Sequence, residues 1–409
     1  MRSRWAFAAA AVLLLSGALA IPAAPPGNAI LKLARSGNEL GFDLYQRLRQ
    51  KPGNLVISPA SVSTSLSMAW GGARGETAAQ MKKVLHLQGT PDEVMAAAGQ
   101  LSLSLQATAR PIVLRFANQL FAEKTYKLVP AYVEKTRVAF HAPVERLDFR
   151  TAPEPARVRI NQWVEGITER RIRDLIPPGG VTPLTRLVLV NAIYFLGSWE
   201  TPFERWDTHP EPFYLTPSRK KPVPTMNRNA TLRVGRKDGV TAVELPYQGG
   251  GLSMLVLVPD KIDGLVAVEK ALDQKRLDAL RAAMADEYIW LSLPKFELSS
   301  ASLALREDLE ALGMRSAFDP RGADLTGIAS PPGRDARLVL QDVFHKGFVR
   351  VDEKGTEAAA AAAFGGVMGS DPPPPPRRVQ VDRPFLFLIR DNASGMILFL
   401  GRVSDPGGR

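Results

Sequence analysis

Side chains able to do covalent chemistry are few in this chain and poorly placed for it. Among 409 residues there are four histidines, His86, His141, His209 and His345, and no cysteine. Thiol chemistry and cysteine zinc sites are excluded outright. No HExxH, P-loop, GxGxxG or GxSxG arrangement occurs, and no carboxylate–histidine group has metal-ligand spacing. Ser218-Arg-Lys-Lys221 satisfies a Ser-x-x-Lys pattern, but it lies in a proline-rich turn region and not at a helix start. The expectation is a protein that is not an enzyme and needs no metal or cofactor.

The chemistry on offer belongs to the backbone. Phe348, Val349 and Val351 form an apolar, β-branched lead-in, followed by Gly355 and an alanine run. Then come Gly365-Gly366, Val367-Met-Gly-Ser370 and prolines at 372–376. At a strand's period of two, Thr356, Ala358, Ala360, Ala362 and Phe364 share one face. Glu357, Ala359, Ala361 and Ala363 share the other. Only one face carries a charge, so the other can be buried without stranding one. Small side chains let such a strand slide between two others. Locally, a helix or a low-complexity linker stays open, because alanine is the strongest helix former.

The segment Asp352-Glu-Lys-Gly-Thr-Glu-Ala-Ala-Ala360 resembles the reactive-loop hinge of the serpins, the serine protease inhibitor family. Other blocks follow in the family's order: Asn54-Leu-Val-Ile-Ser-Pro-Ala-Ser61, Asn191-Ala-Ile-Tyr-Phe-Leu-Gly-Ser-Trp199, Leu293-Pro-Lys-Phe296, Gly322-Ala-Asp-Leu-Thr-Gly-Ile328, Arg383-Pro-Phe-Leu-Phe-Leu-Ile-Arg-Asp391 and Ile397-Leu-Phe-Leu-Gly-Arg-Val403. The similarity runs from about residue 36 to 405. It implies a suicide-substrate inhibitor. A protease acylates itself on the loop, and the freed loop then inserts as a new strand in the main sheet before hydrolysis. Such insertion in serpins is an established case of strand addition that releases stored strain.

The resemblance also implies roles for individual residues. The hinge is Glu353, Gly355, Thr356, Glu357 and Ala358, Ala359, Ala360, Ala361, Ala362 and Ala363. No hinge residue is proline and none on the inward face is charged, which suits an inhibitor better than the alternative, a non-inhibitory carrier, chaperone or storage member. The reactive bond is expected at Met368, Gly369 or Ser370, facing a chymotrypsin-, elastase- or subtilisin-like protease. Arg377 or Arg378 would instead serve a trypsin-like one. Ser58, Ser61, Asn191 and His345 match the family's shutter beneath the parting strands. Trp199, Lys295 and Glu353 match its breach, with a Lys295–Glu353 ion pair expected.

The chain's 45% hydrophobic content is ample for a large core. Arg2 and Arg4, the apolar stretch Trp5–Leu15 and Ala18-Leu-Ala20 read as a signal peptide over 1–20, too short to span a bilayer. The expectation is an exported, bacterial-type member, secreted or periplasmic, with an extension over 21–35 and one domain over 36–405. The loop is placed at about 353–383. The formal charge of +11 falls by two with Arg2 and Arg4. The basic clusters (Arg170, Arg171 and Arg173; Arg219 to Lys221; Arg377 and Arg378) are short and lack interleaved aromatics, so they read as solvated faces. No nucleic acid, no membrane once the signal is removed, and a monomer are expected.

Periodicity predicts helices over 36–49, 59–70, 77–87, 92–108, 130–140, 156–175, 264–285 and 303–312. Apolar runs at 187–195, 253–258, 338–351 and 384–403 predict buried strands. Helices and strands without βαβ repetition indicate α+β. The fold class is a single serpin domain with a large mixed central sheet, smaller sheets, about eight or nine helices and an exposed reactive loop.

Overall fold

The computed structural model describes residues 27–107, 112–140, 142, 144–330, 337–356 and 376–408. It is an α+β architecture of nine α-helices, among the described residues, around a seven-stranded mixed sheet and a longer nine-stranded one.

The main sheet runs in the order Phe296–Ser299, Leu340–Val351, Leu187–Ser198, Val113–Glu123, Glu145–Leu147. Two-residue strands, Leu303–Ala304 and Gly355–Thr356, attach to Leu340–Val351 and Leu187–Ser198 respectively. Strand Leu187–Ser198 is apolar almost throughout because both of its faces are covered. Leu187, Leu189, Ile193 and Phe195 enter the large core. Val188, Val190, Ala192 and Tyr194 pack into a second core under helix Pro153–Ile167.

The second sheet gathers the C-terminal hairpin Phe385–Asp391 and Ile397–Val403 with Leu252–Pro259 and Val240–Pro246. The smaller sheets that the sequence suggested run together here. The 19-residue strand Arg219–Lys237 pairs with Val240–Pro246 at one end and with Ala285–Pro294 over most of its length.

Helix Pro59–Gly71 passes through the middle of the large core with every residue from Pro59 to Trp70 buried. Its start is local chemistry. Ser58 accepts a hydrogen bond from the Ser61 amide at 3.1 Å, and Pro59 takes the first helical position, where its missing N–H costs nothing.

Several boundaries differ from the pattern reading. The first helix is Asn28–Leu48, so most of the expected 21–35 extension belongs to it. Its first turns, 28–35, are mostly exposed and bury only Leu33 and Ala34, too little for a hydrophobic count to register. Helix Pro153–Ile167 stops short of 175 because Glu169, Arg170 and Asp174 have positive φ. The stretch expected over 264–285 divides into Leu265–Ala271 and Gln274–Ala282, with Asp273 capping the second by accepting from the Arg276 amide. The loop ends before 383, because Arg377–Gln380 is a strand lying parallel to Ala285–Pro294.

A buried ionic cluster ties the first helix to the C-terminal hairpin. The Tyr45 hydroxyl donates to Glu269 Oε1 at 2.6 Å, and the Arg402 guanidinium reaches the same oxygen at 3.0 Å. Three further N–H groups of Arg402 go to the carbonyls of Arg49, Lys51 and Gly53. Removing the carboxylate strands a buried charge, which costs about 3–5 kcal/mol. Glu269→Ala is therefore expected to lower the urea midpoint of the intact protein substantially; an unchanged midpoint would show that the cluster contributes nothing net.

Candidate functional site

The site is the seam between the two central strands of the main sheet. Leu187–Ser198 and Leu340–Val351 run parallel, paired from Leu187↔Leu340 to Tyr194↔Phe348. Beyond Tyr194 and Phe348 that pairing ends. Two parallel neighbours present edges on which a strand of opposite direction can pair with both. The upper end of the seam already holds one: Gly355 and Thr356 pair antiparallel with Ser198 and Gly197.

A tight reversal delivers them there. The Asp352 amide donates to the Gly355 carbonyl at 2.9 Å, and the Gly355 amide returns to Asp352 at 3.1 Å. Gly355 sits at φ +146°, and a Cβ there would lie 2.1 Å from the Gly197 carbonyl oxygen. Only glycine fits this reversal. Thr356 is fully buried, its hydroxyl 2.8 Å from that of Tyr247.

The residues expected at the breach converge on the same turn. Lys295 Nζ donates to both Glu353 oxygens at 2.9 and 2.8 Å. Burial alone would raise the Glu353 carboxyl, but the hydrogen bond from Lys295 helps hold it below the usual carboxylate range. The Trp199 indole N–H donates to the Asp352 carbonyl at 3.0 Å, and the Trp199 amide donates to Lys354 at 2.9 Å. Its ring stacks on Tyr247, with centroids 4.7 Å apart at 16°. The Phe203 amide donates to the Glu353 carbonyl at 2.8 Å. Tyr247 and Phe203 were not found in the sequence, because aromatic residues in apolar surroundings read as ordinary core.

Lower in the seam, His345 stands opposite Asn191 in the strand register. The Ser58 amide donates to His345 Nε2 at 3.0 Å, so that nitrogen carries a lone pair. The proton is therefore on Nδ1, which donates to Asn191 Oδ1 at 2.5 Å. Ser61 Oγ donates to Asn118 Oδ1 at 2.8 Å, and Asn118 pairs across from Asn191. Among the described residues, the side-chain amide nitrogens of Asn118 and Asn191 have no partner. Asn118 was missed in the sequence, because Arg115, Gln119 and Glu123 make it one of several polar residues in its strand.

Glu357, Ala358 to Ala363, Met368, Gly369 and Ser370 lie outside the described residues. Arg377 and Arg378 are held in strand Arg377–Gln380, paired with Ile289 and Trp290. A protease reads an extended, free substrate backbone, so their place in a ladder counts against the trypsin-like alternative. Ser218 is exposed in the turn between two strands, while Lys221 pairs with Asp405, so the Ser-x-x-Lys pattern brings no base to the serine. Among the described residues, no group of three His, Asp or Glu could hold a metal ion, and no helix is long and apolar enough to cross a membrane.

Burial lowers the His345 imidazole to about 4 from an ordinary 6.5. The unfolded chain therefore binds the proton first on acidification. The neutral ring's contribution is fully present above pH 6.5 and is lost as pH falls through 4, amounting to about 3 kcal/mol at 1.36 kcal/mol per unit. Thermal midpoints of the intact protein should fall over that interval, and less steeply in His345→Gln. Parallel curves for the two proteins would contradict this assignment.

Over residues 35–406 the chain matches the family model described as Serpin (serine protease inhibitor). It is 38% identical over 385 residues to the leukocyte elastase inhibitor of Homo sapiens, covering 92% of this chain and 100% of that one. Ipis-1 of Ixodes persulcatus is 37% identical over 384 residues with the same coverage. The crystal structure of uncleaved ovalbumin superposes with a TM-score of 0.81 at 29% identity, covering 92% of this chain and 100% of that chain. These findings correct three expectations. A bacterial type gains no support from relatives that are animal proteins. The secreted or periplasmic placement is overturned by the leukocyte elastase inhibitors, which are intracellular serpins. The bare statement that the chain is not an enzyme gives way to the family's own description, in which members engage serine proteases as inhibitors. The chain belongs to the serpins, the serine protease inhibitor family.

Proposed function

We propose that this serpin inhibits its target as a suicide substrate, by inserting the hinge into the seam of the main sheet. One observation carries the reading: Gly355 and Thr356 already form two antiparallel pairs with Leu187–Ser198, just beyond the point where its pairing with Leu340–Val351 ends. The hinge continues from there into six alanines, Ala358 to Ala363, none of which brings bulk or charge to the seam.

The proposed reactive bond is Met368–Gly369, with Gly369–Ser370 beside it. The protease serine oxygen bonds to the Met368 carbonyl carbon. The bond to the Gly369 nitrogen breaks, and the nitrogen leaves with a proton as a free amine. The cut end then carries the acylated protease as the hinge zips downward. A dozen new ladder bonds at roughly 1 kcal/mol net each supply on the order of 10 kcal/mol. Shutter and breach have separate tasks. Lys295–Glu353 and the Trp199 contacts hold the turn from which zipping starts. The Ser58–His345–Asn191 cluster holds the strands together below it. An elastase-like target is favoured, since methionine and glycine suit a modest apolar pocket and the human relative is named for inhibiting leukocyte elastase.

Incubation with elastase-, chymotrypsin-, subtilisin- and trypsin-like proteases should give an SDS-resistant complex with one of the first three, and mass spectrometry of the released C-terminal peptide should begin it at Gly369. If every protease cleaves the chain and stays active, inhibition is excluded. Thr356→Arg places a charge at a fully buried position. It should turn the inhibitor into a substrate, raising the molar ratio needed for full inhibition at least about tenfold, since a tenfold change in partition needs only about 1.4 kcal/mol.

A further inference from the structure

The described end of the reactive loop runs into an arginine-lined groove that the inhibitory mechanism does not use. Arg236, Arg377, Arg378 and Arg383 border a concavity of about 180 Å³, with Asp260 as its one acidic lining residue. Sheet geometry brings them together from three segments. Arg377 and Arg378 open the edge strand Arg377–Gln380, Arg236 stands near the end of the 19-residue strand, and Arg383 follows the edge strand in the next turn. Two of the four are engaged. Arg236 pairs with Glu287 at 2.9 Å, and Arg383 pairs with Asp382 at 2.7 Å while donating to the Asp260 carbonyl at 2.6 Å. Arg377 and Arg378 are exposed and have no acidic partner among the described residues.

Arg377 and Arg378 alternate across the edge strand and flank the groove beside the two fixed arginines, which makes its border cationic and suited to carboxylates. Its position selects the partner. Arg377 is eight residues beyond Gly369, at most about 29 Å of fully extended chain. A protease engaged at Met368–Gly369 is therefore held within reach of the edge strand.

We propose that this groove is a second docking surface for the target protease, and that it selects a protease whose substrate-cleft rim is acidic. The inference rests on the inhibitory reading, because that reading places the protease here. The attraction acts in the encounter, raising the association rate and screening with salt. A sulfated polysaccharide bridging inhibitor and protease is the competing partner for the same charges.

The test uses the full chain and two forms of one elastase-class protease: the enzyme with acidic residues on its rim, and a variant with those residues made neutral amides. Both carry the catalytic serine replaced by alanine, so docking is measured without acylation. Association rates are read between low and high salt, for the intact inhibitor and for R377E/R378E and R377Q/R378Q. With the acidic-rim protease the intact inhibitor should associate roughly tenfold faster at low salt than at high salt. R377Q/R378Q should flatten that dependence, and R377E/R378E should reverse it. The neutral-rim protease should not distinguish the three proteins. Equal salt dependence in all three, or acceleration of the intact inhibitor that requires added heparin, would overturn the proposal. Formation of SDS-resistant complex with the active protease is scored separately. Its absence would refute the inhibitory reading, while its presence with flat salt dependence would refute the groove alone.

Discussion

The structure depends on a parallel strand pair that is left unfinished. Leu187–Ser198 and Leu340–Val351 share a ladder only as far as Tyr194 and Phe348. Above that point each strand still has backbone groups to satisfy, and the reversal at Asp352–Gly355 fills the first of them with the hinge. A parallel pair is slightly less stable per residue than the antiparallel pairs a strand between them would make. In the proposed mechanism the sheet exchanges one weaker seam for two stronger ones. What prevents this is connection: an uncut chain must pass from Thr356 to the edge strand beginning at Arg377, in a different sheet.

The polar residues of the seam make sense against that background. A histidine, two serines and two asparagines buried between apolar layers are costly unless their hydrogen bonds are met. His345 meets two, and the one to Asn191 is lost if the strands part. Among the described residues, the amide nitrogens of Asn118 and Asn191 meet none. The cluster fixes the register of the central strands. Apolar residues there would pack more tightly and offer nothing to an incoming backbone. At the top, Gly355 is confined by the Gly197 carbonyl and Glu353 by Lys295, so the starting position of the hinge is set by sterics and charge together.

Much of this was legible in the sequence, for identifiable reasons. Leu187–Ser198 announced itself as an unbroken apolar run because both faces are covered. Ser58-Pro59 announced a helix start because capping is local. The alternation from Thr356 onward exposed the one-sided placement of Glu357. Lys295 and Glu353, 58 residues apart, were paired only through the family resemblance. What stayed hidden was long-range or non-apolar. The first helix begins at Asn28, and its added residues 28–35 bury only Leu33 and Ala34, too few apolar positions to show as a stripe. Asn118 and Tyr247 acquire meaning only from the strand registers that bring them to Asn191 and Thr356. The arginine groove draws on residues 236, 377, 378 and 383, of which only Arg377 and Arg378 stood out in the sequence, as a short solvated cluster.

The central claim is that the uncut molecule is a trapped, higher-energy form. Limited proteolysis confined to the stretch around Met368, followed by calorimetry of cut and uncut protein under identical conditions, addresses it most directly. If cutting releases the hinge into the seam, the cut protein melts far above the uncut one, by tens of degrees. If the two melt at the same temperature, the seam does not take up a strand and the account fails.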